Sequence, residues 1–153
     1  MKILSLKLTP RRGNTFVEFA VVAPLVFFMV FSVLVGGLGV SRYQEVAYLA
    51  REASRYASVH GAEYATETGQ PAADSAAIYN QVIVPKAVGL DLSRLTWSVR
   101  WNTDNGQFHT VVVGGNNVQR ANTVTVAMSY VWIPELFLSQ KTMRSTSVSI
   151  MSF

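Results

Sequence analysis

Arg11-Arg12-Gly13-Asn14-Thr15-Phe16-Val17-Glu18-Phe19 sets a basic pair, a glycine and one carboxylate immediately before a long apolar run. From Phe19 to Ser41 no residue is charged. A helix of about 23 such residues is roughly 34 Å long, enough to cross a hydrocarbon core of roughly 30 Å. Glu18 therefore stands at the edge of a membrane span. A carboxylate joined to an apolar segment is costly unless it finds a partner, so its position asks for a role beyond anchoring.

The flanking charges give an orientation. Lys2, Lys7, Arg11 and Arg12 precede the run with no acidic residue among them, whereas from Arg42 onward basic and acidic residues nearly cancel. The positive-inside rule puts the N-terminus in the cytoplasm and the remainder across the membrane. The net charge of +4 comes largely from this leader and reads as topology. No basic stripe with interleaved aromatics marks the exported part, so no nucleic-acid partner is expected. The chain has no cysteine, which excludes disulfides and thiolate metal sites.

Three readings of the N-terminal segment compete. A cleaved secretory signal needs a shorter apolar core and a small-x-small site, for which only Gly37-Leu38-Gly39 offers itself. A plain signal anchor explains length and topology but not Gly13 followed by Glu18. That spacing resembles the prepilin-type processing site, where a membrane aspartyl peptidase cuts after glycine on the cytoplasmic side. Cleavage after Gly13 makes Asn14 the new N-terminus and Glu18 its fifth residue. The new amine heads a helix whose dipole is positive there, and a carboxylate one turn along is favourably placed. In a filament the same carboxylate can pair with a neighbour's amine. A buried charge left unpaired by a subunit out of axial register costs several kcal/mol.

Val17-Glu18-Phe19-Ala20, an apolar spacer and Pro24-Leu25 resemble the opening of the TadE-like family. These are minor pseudopilins of the tight-adherence secretion and pilus system. Ala50-Arg51-Glu52-Ala53-Ser54-Arg55-Tyr56-Ala57 resembles that family's second segment, with Ala53-Ser54 in place of the usual glycine-alanine. The resemblance is specific over roughly Arg11 to Gly61 and architectural thereafter. It implies processing at Gly13 and Asn14, assembly through Glu18, Phe19 and Pro24, and residence in the bacterial inner membrane. The implied partners are a prepilin peptidase, other pilin or pseudopilin subunits and the Tad assembly platform. TadF-like proteins and type II secretion pseudopilins share the processing logic and stay open as alternatives. The substantial head favours a minor subunit over a major pilin. A signal-anchored envelope binding protein outside any filament is the rival reading.

The second segment also speaks for itself. Val46, Ala50, Ala53, Ala57 and Gly61 fall at helical spacing, as do Tyr43, Ala47 and Ser54. Small residues at intervals of four, as in Ala53, Ala57 and Gly61, let another element approach the backbone closely. Glu52 with Arg55 is a permitted i,i+3 pair. Pro24 removes a backbone donor inside the apolar run and should kink or loosen the helix there. Gly36, Gly37 and Gly39 form a second weak point, with Gly37 and Ser41 able to seat a neighbouring helix.

Beyond Gly61 the residues are small and polar as far as a turn at Gly69-Gln70-Pro71. Asp74 or a neighbour caps a second helix running to about Ala87. Leu95, Trp97, Val99 and Trp101 alternate with polar residues, the mark of a half-buried strand. Asn102 to Gly106 should turn the chain so that Phe108 to Val113 returns along it as a hairpin. Gly114 to Asn117 is a second turn, Asn122 to Trp132 a long strand, Glu135 to Gln140 a crossover, and Thr142 to Ser152 a final strand. In the long strand Val124, Val126, Met128 and Tyr130 share a face. The expected fold is α+β: a long transmembrane helix continuing into a small head with a second helix and an antiparallel sheet. The expected divisions are a leader over 1–13, an assembly helix over 14–41 and an extracytoplasmic head over 42–153. His60 and His109 lack metal-ligand spacing, and neither a phosphate loop nor a nucleophile elbow is present. No enzyme activity, cofactor or small-molecule substrate is expected.

Overall fold

A computed structural model describes residues 12–134 and 139–153. Residues 1–11 of the leader and most of the crossover expected at Glu135 to Gln140 lie outside the described residues. The fold is mixed α+β, with one long apolar helix, further short helices and antiparallel sheets. The long helix, α1, is Arg12–Val59 and is unbroken at Pro24 and at the three glycines. The expected kink at Pro24 is therefore not a break. In a helix a proline forfeits one hydrogen bond, which the turns on either side can hold through. Contacts divide the chain into two units at Gly37 and Leu38.

The first unit holds the apolar stretch, whose side chains are exposed almost throughout: Phe16, Phe19, Leu25, Phe28 and Met29 are among them. The stretch is apolar all round, which suits lipid rather than a protein core. Among the described residues, α1 is the one helix long and apolar enough to cross a membrane.

The second unit is the head. The last part of α1 buries Val46, Leu49, Ala50, Ala53 and Ala57 in one core with the sheet. Four strands were legible as such: β1 (Leu95–Trp101), β2 (Phe108–Val113), the long β4 (Thr123–Trp132) and β5 (Lys141–Ile150). A further strand, β3 (Asn116–Ala121), occupies part of what reads as a turn. The main sheet is antiparallel in the order β1-β4-β5, so β4 is central. Its Val124, Val126, Met128 and Tyr130 all face the core.

Phe108 to Val113 does not return along β1, contrary to the expected hairpin; β2 pairs with β3 in a separate two-stranded sheet. The reason lies in the two turns. Gly114 and Gly115 both have positive φ, 60° and 85°, which suits a two-residue hairpin turn. Asn102 to Gln107 is instead tied down by side chains. Asp104 Oδ1 accepts from Gly106 N and from Asn122 Nδ2, and Glu63 accepts from Gln107 N. Asn122, fully buried, is thus a hub between β3 and β4 rather than the first residue of the long strand.

The small, polar stretch from Gly61 to the turn at Gly69-Gln70-Pro71 contains α2 (Ala62–Thr68), a helix the residues did not announce. It buries no residue, so it carries no apolar periodicity to read. Gly69, at φ 69°, ends it by donating to the Ala65 carbonyl. Asp74 caps the next helix, its carboxylate accepting from Ala77 N at 2.7 Å. That helix is composite: α3 (Ser75–Ile78), a π-helical turn (Tyr79–Ile83) and α4 (Val84–Lys86). The wide turn brings Ile78, Val82 and Ile83 to the core together. It also precedes Pro85, which has no N–H for the carbonyl four residues back. Tyr79 stacks on Trp97 of β1 at 5.3 Å, and α1 touches β5 through Ser54, so helices cover the sheet from both edges.

Candidate assembly and membrane-exit site

Gly13 and Asn14 lie in the first turn of α1. One turn further, Glu18 is exposed, as are Phe19 and Pro24. Glu18 is the one charged residue of α1 between Arg12 and Arg42. Residues at i and i+4 share a helix face, so a chain beginning at Asn14 would carry its amine above Glu18.

Ala50, Ala53 and Ala57 belong to the head and form a different place from the Gly13–Pro24 set. All three are buried, at 0%, 0% and 1% exposure. Their small side chains continue the seam to Gly61, where the approach is closest. A Cβ there would sit 2.1 Å from the Phe153 carbonyl oxygen and 2.5 Å from that of Asn105. Gly61 N donates to Phe153 O, and Ser152 N donates to Ser58 O at 2.8 Å. Backbone from the end of β5 thus satisfies a carbonyl in the last turn of α1, a group helices otherwise leave orphaned.

The charges of this segment pair differently from the expected i,i+3 contact. Glu52 bonds to Lys86 of α4 rather than to Arg55. The Lys86 hydrogen bond is the main reason the Glu52 carboxyl is held below the usual carboxylate range, with the nearby charges of Lys86 and Arg55 adding to it. The same bond holds the Lys86 amine above its ordinary range. Tyr43 is exposed, whereas Ser54 is fully buried. Its hydroxyl lies 2.9 Å from that of Ser147, accepts from Ser149 at 3.0 Å and donates to the Arg51 carbonyl. This hydroxyl cluster between α1 and β5 went unread, although Ser145, Ser147 and Ser149 alternate along the strand.

At the other end of the head's share of α1, Trp132 lies over Gly39: a Cβ on that glycine would be 3.1 Å from the indole ring. Arg42, paired with Glu45 at 3.2 Å, lies over Gly89, which has a φ of 86°. His60 stacks on Tyr56 with centroids 4.0 Å apart, meets Tyr64 at a tilt with centroids at 4.5 Å, and bonds the Tyr56 carbonyl through Nδ1. Among the described residues no three His, Asp or Glu side chains assemble a metal-binding group.

The model of the TadE-like protein family matches residues 13–55, from Gly13 through the first part of the small-residue seam. Over this segment the chain is similar to the TadE-like family. That likeness points to the tight-adherence (Tad) pilus system and, with the long apolar helix, to the membrane. No curated protein and no solved structure matches the chain. The TadE-like segment contains Gly13, Glu18, Phe19, Pro24, Ala50 and Ala53, whereas Ala57 and the sheet lie beyond it.

Proposed function

We propose that this TadE-like protein is a minor pseudopilin, cut after Gly13 by a prepilin peptidase and incorporated into, or initiating, a tight-adherence pilus used for attachment or secretion. The observation that carries this is the coincidence at one helix end. The family match begins at Gly13, and a single carboxylate follows one turn on, at the head of an apolar helix whose side chains face outward. Processing leaves the Asn14 amine beside Glu18, and assembly lets that carboxylate meet a neighbouring amine in a dry helical core, where register is enforced by the cost of an unpaired charge. The partners are the peptidase, other pilin subunits and the Tad platform in the bacterial inner membrane, with the head outside the cytoplasm. The head is a structural and docking element without catalytic work.

Glu18→Gln tests the pairing separately from the cutting. The variant should be inserted and processed as the wild type is, because cleavage reads Gly13, while pilus assembly in the native system falls. Normal assembly of Glu18→Gln contradicts the charge-register mechanism.

A further inference from the structure

Where the head meets the part of α1 that follows the apolar stretch, Val88 and Ile133 are exposed beside Trp132, which packs on the edge of the core. About 20 residues cross the hydrocarbon, so a span beginning at Phe19 ends near Leu38. Gly39 to Arg42 then fall in the headgroup layer, within roughly 6 Å beyond it. Whatever touches Gly39 and Arg42 shares that depth. Two segments do. Trp132, at the end of β4, covers Gly39, and the turn after α4 sits under Arg42 at Gly89.

That turn is held tightly, with Val88 N donating to the Lys86 carbonyl, and it leaves Val88 78% exposed. Ile133, next to Trp132, is 48% exposed. Lys141 is the cross-strand partner of Trp132 and is exposed as well. An indole, two exposed aliphatic side chains, the exposed Lys141 and Arg42 in its pair with Glu45 thus lie on or next to the segments that meet α1 just after the span. Tryptophan rings favour headgroup depth, and basic side chains there favour anionic lipid.

We propose that this end of the head is a lipid-docking surface. Val88, Ile133 and the Trp132 indole seat in the headgroup layer of the leaflet from which α1 emerges, and Arg42 and Lys141 face the lipid phosphates. The head is therefore held at the bilayer, and leaving the membrane uncovers this surface. The inference rests on α1 spanning the bilayer and not on filament assembly.

The chain lacks cysteine, so single substitutions Val88→Cys, Ile133→Cys and, as a control on the exposed β2, Val112→Cys can each carry a nitroxide. The full chain is reconstituted in liposomes of phosphatidylethanolamine and phosphatidylglycerol, and collision with oxygen is compared with collision with a water-soluble nickel chelate. The oxygen-to-nickel ratio should be several-fold higher at 88 and 133 than at 112, and should fall at 133 when Val88→Asp is added. Equal ratios at all three positions overturn the proposal. So does a ratio that drops when the protein is diluted further into lipid, which would mean that a second copy covers the face. A chain that fails to float with the liposomes refutes the membrane span itself, a failure separate from that of the docking surface.

Discussion

At the residue scale, most of what holds the head together is the absence of side-chain bulk at a few positions along α1. Ala50, Ala53 and Ala57 are buried because they are small, and Gly61 because nothing larger fits between the carbonyls of Phe153 and Asn105. Both obstructing atoms are backbone, so they cannot swing aside. Gly61→Ala should destabilise the head by about 1–3 kcal/mol. Denaturant unfolding of the full chain in detergent, followed by tryptophan fluorescence, measures it; an unchanged midpoint would refute the close approach. The Glu52–Lys86 bond makes a prediction about pH. A carboxyl lowered on folding contributes stability above its unfolded pKa and loses it as pH falls through the lowered value. An amine raised on folding contributes below its unfolded pKa and loses that as pH rises through the raised value. Both contributions are present at neutral pH, and the acid loss lies below the ordinary carboxylate range. Lys86→Gln should therefore flatten the fall in melting temperature on acidification relative to the wild type. Parallel profiles would show that the bond contributes nothing, the usual fate of exposed ion pairs.

At the element scale, β1 offers a direct test of the sheet face. Val99 is half-buried among groups packed on the core and pairs in register with Val126, while Ser98 is exposed. Val99→Asp should destabilise by about 3 kcal/mol, since a carboxylate there loses water without gaining a partner. Ser98→Asp should be tolerated, and equal effects at the two positions would overturn the face assignment. The elements that could be read from sequence are those marked by a long apolar run or by alternating burial: α1, the Asp74-capped helix, β1, β2, β4 and β5. Those misread are stabilised by something periodicity does not record. The helix Ala62–Thr68 buries nothing, and β3 is exposed along its whole length. The pairing of β2 with β3 depends on Asn122, Asp104 and Glu63 tying down a loop from elements distant in sequence. The Glu52–Lys86 bond was out of reach for the same reason, because Lys86 lies on another helix whereas Arg55, the permitted i,i+3 neighbour, lies within local reach.

At the scale of the whole molecule, the chain divides its work between an apolar helix with one carboxylate at its head and a small α+β domain built on the same helix further along. The proposed processing and assembly residues, Gly13, Asn14 and Glu18, form a local motif on one short stretch of helix and need no tertiary structure to be read. The exit surface of Trp132, Val88 and Arg42 could not be read so, because it is assembled by the folding of β4 and of the turn after α4 onto α1. The proposed role in a filament depends on one covalent event, the cut that frees the Asn14 amine. Substituting Gly13 with a bulky residue should leave the precursor intact in the inner membrane. The most direct measurement is the N-terminal mass of the mature protein, isolated from cells with and without an active prepilin peptidase. A chain starting at Asn14 is expected in the first and one starting at Met1 in the second; a functional chain starting at Met1 with the peptidase active would overturn the proposed processing.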